Sequence, residues 1–568
     1  MCCPERLEPL QTPFQTPFQT NEGPGEVVRA TRARHALALA VFSGLIFIAS
    51  LDTIRSYDYF WHLATGRWIV EHRALPATDP FSLGSDPIDW INGEWLFQIV
   101  LYLLYRLVGH EGVSLLRALF LAAGFGAIYH WASRIVPPGI AAFLTAIGWL
   151  GALHRLNARP ETPATFLLVL FLAVLFFTEG RARLIAATVV TVVWFNIHPS
   201  ALLAPILASI HQGAELLTSG LKTTREDLTK RVLLVLGPLL ALLVTPHGLS
   251  GILAPLHLIG YASEGSFTNI EWVASDPRLF PLLYLAVLSL LLLSLTPLRK
   301  ISSKLPVVLI GLFLGILAIR YVRNQGLFFA AFPLMAAALI RPDISRRWSR
   351  VFGAASVLVL ATVLAGRPWT DIGVDRSLFP VAATDQLQRS GLRGNVYNPD
   401  QFGGFLIWRF YPERRVVTDG RNELHRTYIP AYGSAREDSR SWNRLLQTYK
   451  LTLAVDEYRG ALVPVVDSAS GRTVLQPASR TYFPHARWAL IAFDDVGLVF
   501  ARRDAHPPQV LASLEFRHLV PDDPRAMQFD SEEQRRGAAV ELKRAAEALG
   551  DTELMRRLIR SFETGVVR

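Results

Sequence analysis

Long apolar runs alternate with short polar segments along the chain as far as residue 366. Runs such as HALALAVFSGLIFIASL, TFLLVLFLAVLFF and LLYLAVLSLLLLSL carry few or no charges. Each covers most of the thickness of a bilayer, which is typical of membrane-spanning helices. Counting these runs gives about eleven spans between residues 35 and 366. The pattern therefore predicts a polytopic α-helical membrane protein.

From about residue 367 the pattern changes. Short strand-like runs such as RRVVTDG, LTLAVDE and VGLVFARR alternate with helical patterns such as ATDQLQRSG. This alternation predicts an α/β domain over residues 367–568. One or two amphipathic helices close the domain, with Ser531 as a helix N-cap and Gly550 as a break.

Composition agrees with the membrane class, since 51% of the 568 residues are hydrophobic and 18% are charged. The net charge of +10 would suggest nucleic acid in a soluble protein, but much of the excess lies in short loops that set orientation. No nucleic-acid partner is therefore expected. The adjacent Cys2 and Cys3 form no disulfide framework. Residues 1–34 begin with a repeat rich in Gln, Thr and Pro, which predicts a disordered tail.

Basic residues predict the orientation of the chain. Arg29, Arg32 and Arg34 precede the first span, which places the N-terminus in the cytoplasm. Residues 52–112 and 247–277 are then long outer loops, and the α/β domain is extracytoplasmic. The apolar segment 90–110 is interpreted as a helix lying in the outer interface, because a span there would put the later basic loops outside.

The first outer loop carries the leading catalytic candidate, Asp58. It follows the first span closely and stands among aromatic residues in SYDYFWHLATGRW. Aromatic neighbours lower the local dielectric and offer faces for a sugar ring, so Trp61 and His62 are the expected substrate-binding residues. A carboxylate in this setting can take a proton from an acceptor hydroxyl.

Two turns depart from the positive-inside bias, HRLNARPE and RYVRNQG, which contain Arg159 and Arg323. Arginine presents planar, permanently charged donors that match a phosphate, so both are predicted to bind a phosphate group. His198 in WFNIHPS is a further substrate-binding candidate, although an interfacial hydrogen-bonding role is an alternative. Supporting acids on the same face are Glu94, Glu161 and Glu271. No metal-ligand spacing is present and no metal ligand is assigned; a divalent cation is left open.

The stretch SYDYFWHLATGRWIVEHRALPATDPFS…DWINGEWL resembles the first outer loop of bacterial GT-C superfamily membrane glycosyltransferases. The nearest groups are dolichyl-phosphate-mannose mannosyltransferase-like and RgtA/B/C/D-like proteins. ARPE, WFNIH, IEW and GGFLIWRF…VVTDGRNE also resemble stretches of those proteins. The likeness covers residues 35–366, as a GT-C-like transmembrane domain, and reaches into the outer domain.

The resemblance implies a polyprenyl-phosphate-linked sugar donor in the outer leaflet of the bacterial cytoplasmic membrane. It also implies an inverting transfer to a glycan, lipid or protein of the cell envelope, with Asp58 as the base. These loops often carry two acids two residues apart, and Ser56 occupies the first of those positions here. That departure puts a metal-assisted or two-acid version in doubt.

Two other classes of function are weighed against the enzyme. A transporter of a lipid-linked solute would explain the spans, but it predicts charges or breaks in the middle of helices and inverted halves. A non-catalytic envelope assembly protein would retain the spans as a scaffold and work through its outer domain. The replacement of the first acid by Ser56 keeps that second alternative open.

Overall fold

The computed structural model describes residues 26–219, 224–263, 270–295, 301–340, 346–366, 371–436, 438–466, 471–523, 527 and 529–564. The chain divides into two compact units, neither of which is one continuous stretch. The helical unit comprises Met1–Ile54 and Ile91–Gly373, and the sheet unit comprises Arg55–Trp90 and Val374–Arg568. The predicted tail falls mostly outside the described residues, and the first helix begins at Glu26, earlier than the predicted residue 35.

Helices are numbered along the whole chain, and the helical unit contains all but one of the first thirteen. They are α1 (Glu26–Ser50), α3 (Trp95–Ala132), α4 (Pro138–Ala152), α5 (Glu161–Phe177), α6 (Gly180–Ile197), α7 (Leu203–Ser219), α8 (Arg225–Ala241), α9 (Gly248–Ser263), α10 (Pro281–Ser294), α11 (Ile301–Arg320), α12 (Gln325–Leu339) and α13 (Arg346–Ala365). The predicted helical class is thus confirmed for the first part of the chain.

Among the described residues, four helices are long and apolar enough to cross a membrane, namely Arg32–Ser50, Trp95–Ala132, Gly180–Ile197 and Arg347–Ala365. Shorter apolar helices accompany them. On α10 the exposed side chains of Leu285, Leu288 and Leu292 form one stripe, with 62%, 50% and 58% of their surfaces exposed. Exposed leucines at helical spacing suit a lipid-facing surface. The count of about eleven spans stays a prediction.

Helix α3 contains a break at Gly109, whose φ of 68° and ψ of −172° lie outside the helical region. Glycine adopts a positive φ without the steric cost of a Cβ atom. The part of this helix before the break lies within the segment 90–110, which was predicted as an interfacial helix. The position of the first part in the membrane interface stays a prediction.

The two segments predicted as long loops contain regular structure. Helix α9 lies within 247–277 and includes Pro255, and the first loop contains an additional helix of the sheet unit. Proline and glycine residues interrupt the apolar pattern of α9, which explains why the pattern did not indicate a helix there.

The sheet unit contains a four-stranded sheet in the order β1-β2-β6-β5 and a separate ribbon of β3 and β4. Strands β1 and β2 are parallel, whereas the other neighbours are antiparallel. The strands are β1 (Asn395–Tyr397), β2 (Leu451–Glu457), β3 (Leu462–Val466), β4 (Thr473–Pro477), β5 (Trp488–Phe493) and β6 (Gly497–Arg502). This mixed sheet confirms a sheet-containing C-terminal region.

The sheet unit also contains helices. They are α2 (Tyr59–His72), α14 (Val381–Arg389), α15 (Asp400–Phe410), α16 (Tyr428–Ala435), α17 (Ser439–Thr448), α18 (Ala478–Tyr482), α19 (Pro508–Leu514), α20 (Glu532–Leu549) and α21 (Glu553–Thr564). Of these helices, α14, α17 and α19 pack against the four-stranded sheet. The side chain of Ser531 caps α20 as predicted, and Gly550 ends it. Residues of the first loop join the unit through backbone pairing, since Gly84 donates to the carbonyl of Val417 at 2.9 Å.

Candidate functional site

The helical unit gathers an arginine cluster, which comprises Arg155, Arg159, Glu161, Glu271 and Arg323. One oxygen of Glu271, Oε1, accepts hydrogen bonds from Nη1 of Arg155 at 2.8 Å and from Nη1 of Arg159 at 2.7 Å. Glu161 Oε1 lies 3.6 Å and 3.3 Å from the Nη2 atoms of the same two arginines. Short turns position these groups: Arg155 ends the turn after α4, and Glu161 begins α5.

Arg323 completes the cluster from the turn that follows α11. Its guanidinium lies over the ring of Trp272 at 4.4 Å, a cation–π contact. Within the described part of the chain, no carboxylate forms an ion pair with it. Three guanidinium groups and two carboxylates leave one positive charge in excess. The cluster can therefore attract one further anionic group.

The charges of the cluster affect one another strongly. Burial alone would raise the pKa of Glu271, but the nearby Arg159 and Arg155 outweigh it and lower the pKa to about 2. Burial lowers the pKa of Arg323, while Glu161 and Glu271 oppose that effect. Arginine keeps its charge at neutral pH in any such environment. The cluster is thus a set of fixed charges under physiological conditions.

His198 and Glu94 lie near each other, with 3.9 Å between His198 Nε2 and Glu94 Oε1. Burial lowers the pKa of His198 to about 4, so the imidazole is neutral at pH 7. His198 Nδ1 accepts a hydrogen bond from the backbone N–H of Ser200 at 3.1 Å, which caps the short turn after α6. Its contribution to substrate binding stays a prediction.

Asp58 lies in the sheet unit at the N-cap of α2, half-buried. Trp61 Nε1 donates a hydrogen bond to Asp58 Oδ1 at 3.1 Å. His62 is buried, and its backbone N–H bonds the carbonyl of Asp58 at 3.1 Å. The three first-loop candidates are therefore adjacent, as successive positions on one helical turn require. A helix N-terminus also stabilises the charge of a carboxylate.

Glycines let α15 approach both α2 and the turn at 418–421. A Cβ atom on Gly404 would lie 3.0 Å from the Tyr57 carbonyl oxygen, and one on Gly403 would lie 2.2 Å from the Thr418 carbonyl oxygen. Gly420 lies against Asp58, since a Cβ atom on Gly420 would be 2.8 Å from Oδ1 of the Asp58 carboxylate. The motifs GGFLIWRF and VVTDGRNE thus pack around the Asp58 helix.

A buried charge cluster lies at this turn. It comprises Asp419 and Arg421 of the turn together with Asp79 and His425. Arg421 Nη2 lies 2.6 Å from Asp419 Oδ2 and 3.0 Å from Asp79 Oδ1. Its Nε donates to Asp419 Oδ1 at 2.7 Å. His425 Nε2 is 3.5 Å from Asp419 Oδ2. Asp419 and Arg421 belong to the motif VVTDGRNE, but the sequence alone did not indicate a role for them, because an acid and an arginine after a strand also fit an ordinary turn.

Asp79, Asp419 and His425 offer metal-type ligand atoms within 4.8 Å of one another. The guanidinium of Arg421, however, already bonds both carboxylates, and burial of an unpaired arginine would be costly. The donor set therefore holds an internal cation, and it fits a metal ion poorly. Burial would raise the pKa of Asp419, but Arg421 holds it well below the ordinary value.

Of the predicted site residues, the structure brings together Arg159, Arg323, Glu161 and Glu271 in the helical unit. It places Glu94 3.9 Å from His198, and His198 in turn lies close enough to Glu161 to interact with it electrostatically. In the sheet unit it places Asp58, Trp61 and His62 side by side. The residues that the sequence analysis did not assign are Arg155 in the helical unit and Asp79, Asp419, Arg421 and His425 in the sheet unit.

No protein-family model and no curated protein sequence matches the chain. Solved structures do resemble it. The archaeal oligosaccharyltransferase AglB from Archaeoglobus fulgidus, in complex with an inhibitory peptide and a dolichol-phosphate, has a TM-score of 0.57 at 8% identity. That match covers 94% of this chain and 86% of AglB. The same archaeal enzyme with zinc and sulfate has a TM-score of 0.53 at 9% identity, covering 93% and 85%.

ArnT from Cupriavidus metallidurans in the apo state is also similar, with a TM-score of 0.52 at 13% identity. The match covers 86% of this chain and 99% of ArnT. At such low identity these likenesses concern the fold, and they extend over most of the chain. The chain therefore shares its fold with AglB and ArnT over most of its length, which agrees with the fold that the first-loop resemblance implies.

Proposed function

We propose that the protein is a membrane glycosyltransferase that moves a sugar from a polyprenyl-phosphate donor to a cell-envelope acceptor on the outer face. The observation that carries this proposal is the GT-C fold, which extends over nearly the whole chain. AglB, a similar structure, was solved with a dolichol-phosphate and a peptide. A lipid-linked donor is consistent with a helical unit that exposes a stripe of leucine side chains on α10.

The arginine cluster is the proposed binding site for the donor phosphate. Its excess positive charge favours an anion, and Arg323 offers donors that no described carboxylate occupies. Arg159 lies in the same cluster, although Glu271 already accepts one of its hydrogen bonds. Charge-assisted hydrogen bonds from arginine to phosphate are strong and directional. The guanidinium groups would also stabilise the negative charge that develops on this phosphate as it leaves.

Asp58 is the proposed catalytic base. As the acceptor oxygen bonds to the anomeric carbon, the bond from that carbon to the phosphate oxygen breaks, and the acceptor proton passes to Asp58. The polyprenyl phosphate leaves from the face opposite the attack, so the configuration inverts. The Trp61 hydrogen bond holds the carboxylate in one orientation, and aromatic rings nearby suit a sugar. His62 and His198 are proposed to assist in binding substrate.

The gene for this protein should be deleted and the envelope glycans and glycolipids compared by mass spectrometry. Wild-type protein is expected to restore a missing glycan, whereas Asp58→Asn should not, because an amide cannot accept the acceptor proton. Membrane levels of the variants are compared by immunoblotting. Asp89→Asn is the matched control, since Asp89 belongs to the same loop but is exposed and has no described partner.

Full restoration of the glycan by Asp58→Asn at normal protein level would contradict the role of Asp58. A deletion that changes no glycan, together with substrate-dependent flux in acceptor-free vesicles, would favour the transporter. Co-purification of a stable partner with a tolerated Asp58→Asn variant would favour the assembly protein. These three outcomes separate the classes of function that the sequence leaves open.

A further inference from the structure

The buried guanidinium of Arg421 contacts two carboxylates and three aromatic rings. Asp79 and Asp419 both contact its Nη2 atom, and three aromatic rings lie near it, at 4.6 Å for Trp90, 5.4 Å for Phe81 and 5.6 Å for Trp61. Only 2% of its surface is exposed. Two carboxylates against one guanidinium leave a negative excess, which protonation of His425 would balance.

This cluster contacts Asp58 by two routes within the sheet unit. The first is Trp61, whose ring lies against Arg421 and whose Nε1 donates to Asp58 Oδ1. The second is the backbone turn from Asp419 to Arg421, in which Gly420 lies directly against the Asp58 carboxylate. Asp419 links this turn to the guanidinium, because its Oδ1 accepts from the backbone N–H of Arg421 at 3.0 Å and from the Arg421 Nε at 2.7 Å.

We infer that Arg421 is a positioning residue for Asp58 and supplies a fixed positive charge near that carboxylate. This inference rests on the proposed role of Asp58 as base. Removing the guanidinium would release Trp61 and the Gly420 turn, and it would leave Asp79 and Asp419 buried without their partner. Two uncompensated carboxylates near Asp58 would make its ionised form less favourable.

Other charged groups belong to the elements around α2 and enter the same balance. On α2 itself stand His62, Arg67 and Glu71; on α15 stand Asp400 and Arg409; the segment after the turn adds Glu423 and His425. Each of these stays unchanged in the variants proposed below. Differences in Asp58 labelling between variants are therefore caused by changes at the guanidinium and the turn, and not by these other charged groups.

The test labels carboxyl groups of the full-length protein in detergent with a water-soluble carbodiimide and a small amine. Peptide mass spectrometry measures labelling of Asp58 from about pH 3 to about pH 7, a range that includes the ordinary aspartate pKa of about 3.9 and a midpoint raised above it. Labelling of the exposed Asp89 is the internal reference. This measurement needs no donor or acceptor, so it can fail independently of the glycan assay.

Arg421→Met is expected to shift the Asp58 labelling midpoint upward by about one pH unit, as loss of a nearby opposite charge does. Arg421→Lys retains the charge and should stay closer to wild type. Arg415→Met is the matched control. Arg415 Nη2 donates a hydrogen bond to the Ser82 carbonyl at 2.9 Å, but Arg415 does not belong to the cluster. It should leave the midpoint unchanged.

Folding is checked by gel filtration and thermal unfolding in detergent. A folded Arg421→Met protein with the wild-type midpoint would overturn the inference. If that variant does not fold, Arg421→Gln decides, because it removes the charge but keeps polar atoms that can bond Asp419. A raised midpoint in this variant supports the inference, and a folded Arg421→Gln protein with the wild-type midpoint would also overturn it.

Discussion

The Glu271 carboxylate occupies hydrogen-bond donors of the proposed phosphate site. A single oxygen accepts from two arginines, and only 16% of the side chain is exposed. The carboxylate therefore occupies donors that a phosphate would also use. Such an arrangement stabilises the empty site and competes with the anion that the cluster is proposed to bind. The acid is thus a counter-charge for the arginines in addition to being a candidate supporting acid.

Glu271→Gln is predicted to lower the stability of the folded protein at pH 7 by about 1–3 kcal/mol, since hydrogen bonds to a charged group are lost. The same variant should gain more thermal stability than wild type on addition of a polyprenyl phosphate, because two arginines are freed. Thermal unfolding in detergent, with and without the lipid, measures both effects. Equal lipid-induced shifts in the two proteins would argue against phosphate binding at this cluster.

The pH dependence of that stability has a definite sign. The folded-state pKa of Glu271 is lowered to about 2 from 4.5, so its stabilisation is present above pH 4.5 and is lost as the pH falls toward 2. Wild type should therefore lose stability over this window more steeply than Glu271→Gln. Unfolding midpoints at pH 7, 5, 4 and 3, roughly spanning the upper part of the window, measure the difference. Parallel curves would contradict the assignment.

At the scale of elements, helix α15 is the piece that joins the first loop to the strand-turn at 416–421. Its Gly403 faces the Thr418 carbonyl, and its Gly404 faces Tyr57 and Trp61. Side chains at these two positions would push the helix away from both neighbours. The glycine pair is therefore a requirement of close packing around Asp58, and not of helix formation, for which glycine is unfavourable.

Gly403→Ala is predicted to destabilise the protein by about 1–3 kcal/mol, because its Cβ atom would lie 2.2 Å from a backbone oxygen. Gly433→Ala on α16 is the matched control. It meets nothing within 4 Å, so alanine there should be neutral or stabilise by about 0.5–1 kcal/mol. Unfolding of the two proteins in detergent compares them, and equal stabilities would refute the packing argument.

At the scale of the whole molecule, the orientation in the membrane follows from basic loops and stays a prediction. The charge pattern places the N-terminus and the segment after α5 in the cytoplasm, with the C-terminal residues outside. The proposed reaction needs this orientation, since its donor belongs to the outer leaflet.

Fusions to alkaline phosphatase test the orientation, because that reporter folds only outside the cytoplasm. A fusion after Gly366 is expected to be active, and a fusion after Phe177 is expected to be silent. Immunoblotting controls for the amount of each fusion. The reversed pattern, or activity at both positions, would contradict the predicted path and the extracytoplasmic location of the sheet unit.

The sequence alone predicted the helical region and the sheet-containing region, because local patterns of apolar and polar residues encode both. Apolar runs specify membrane helices wherever they occur, and a change from long runs to short alternating ones marks the sheet-bearing region. The acid at Asp58 was visible because aromatic residues stand beside it. Helix α9 was missed for an equally local reason, since Pro255 and several glycines interrupt its pattern.

Tertiary structure alone decided which distant residues meet. Ser82 and Asp419 are bonded at 2.6 Å although 337 positions separate them, and Arg421 meets Asp79 across a similar distance along the chain. No local period encodes such pairs, because they depend on how α15 and the strands pack. The sequence by itself determined a membrane protein with a sheet-bearing end and an aromatic-flanked acid. Packing determined that a buried arginine lies behind that acid, since only close backbone approach at glycines could bring the two together.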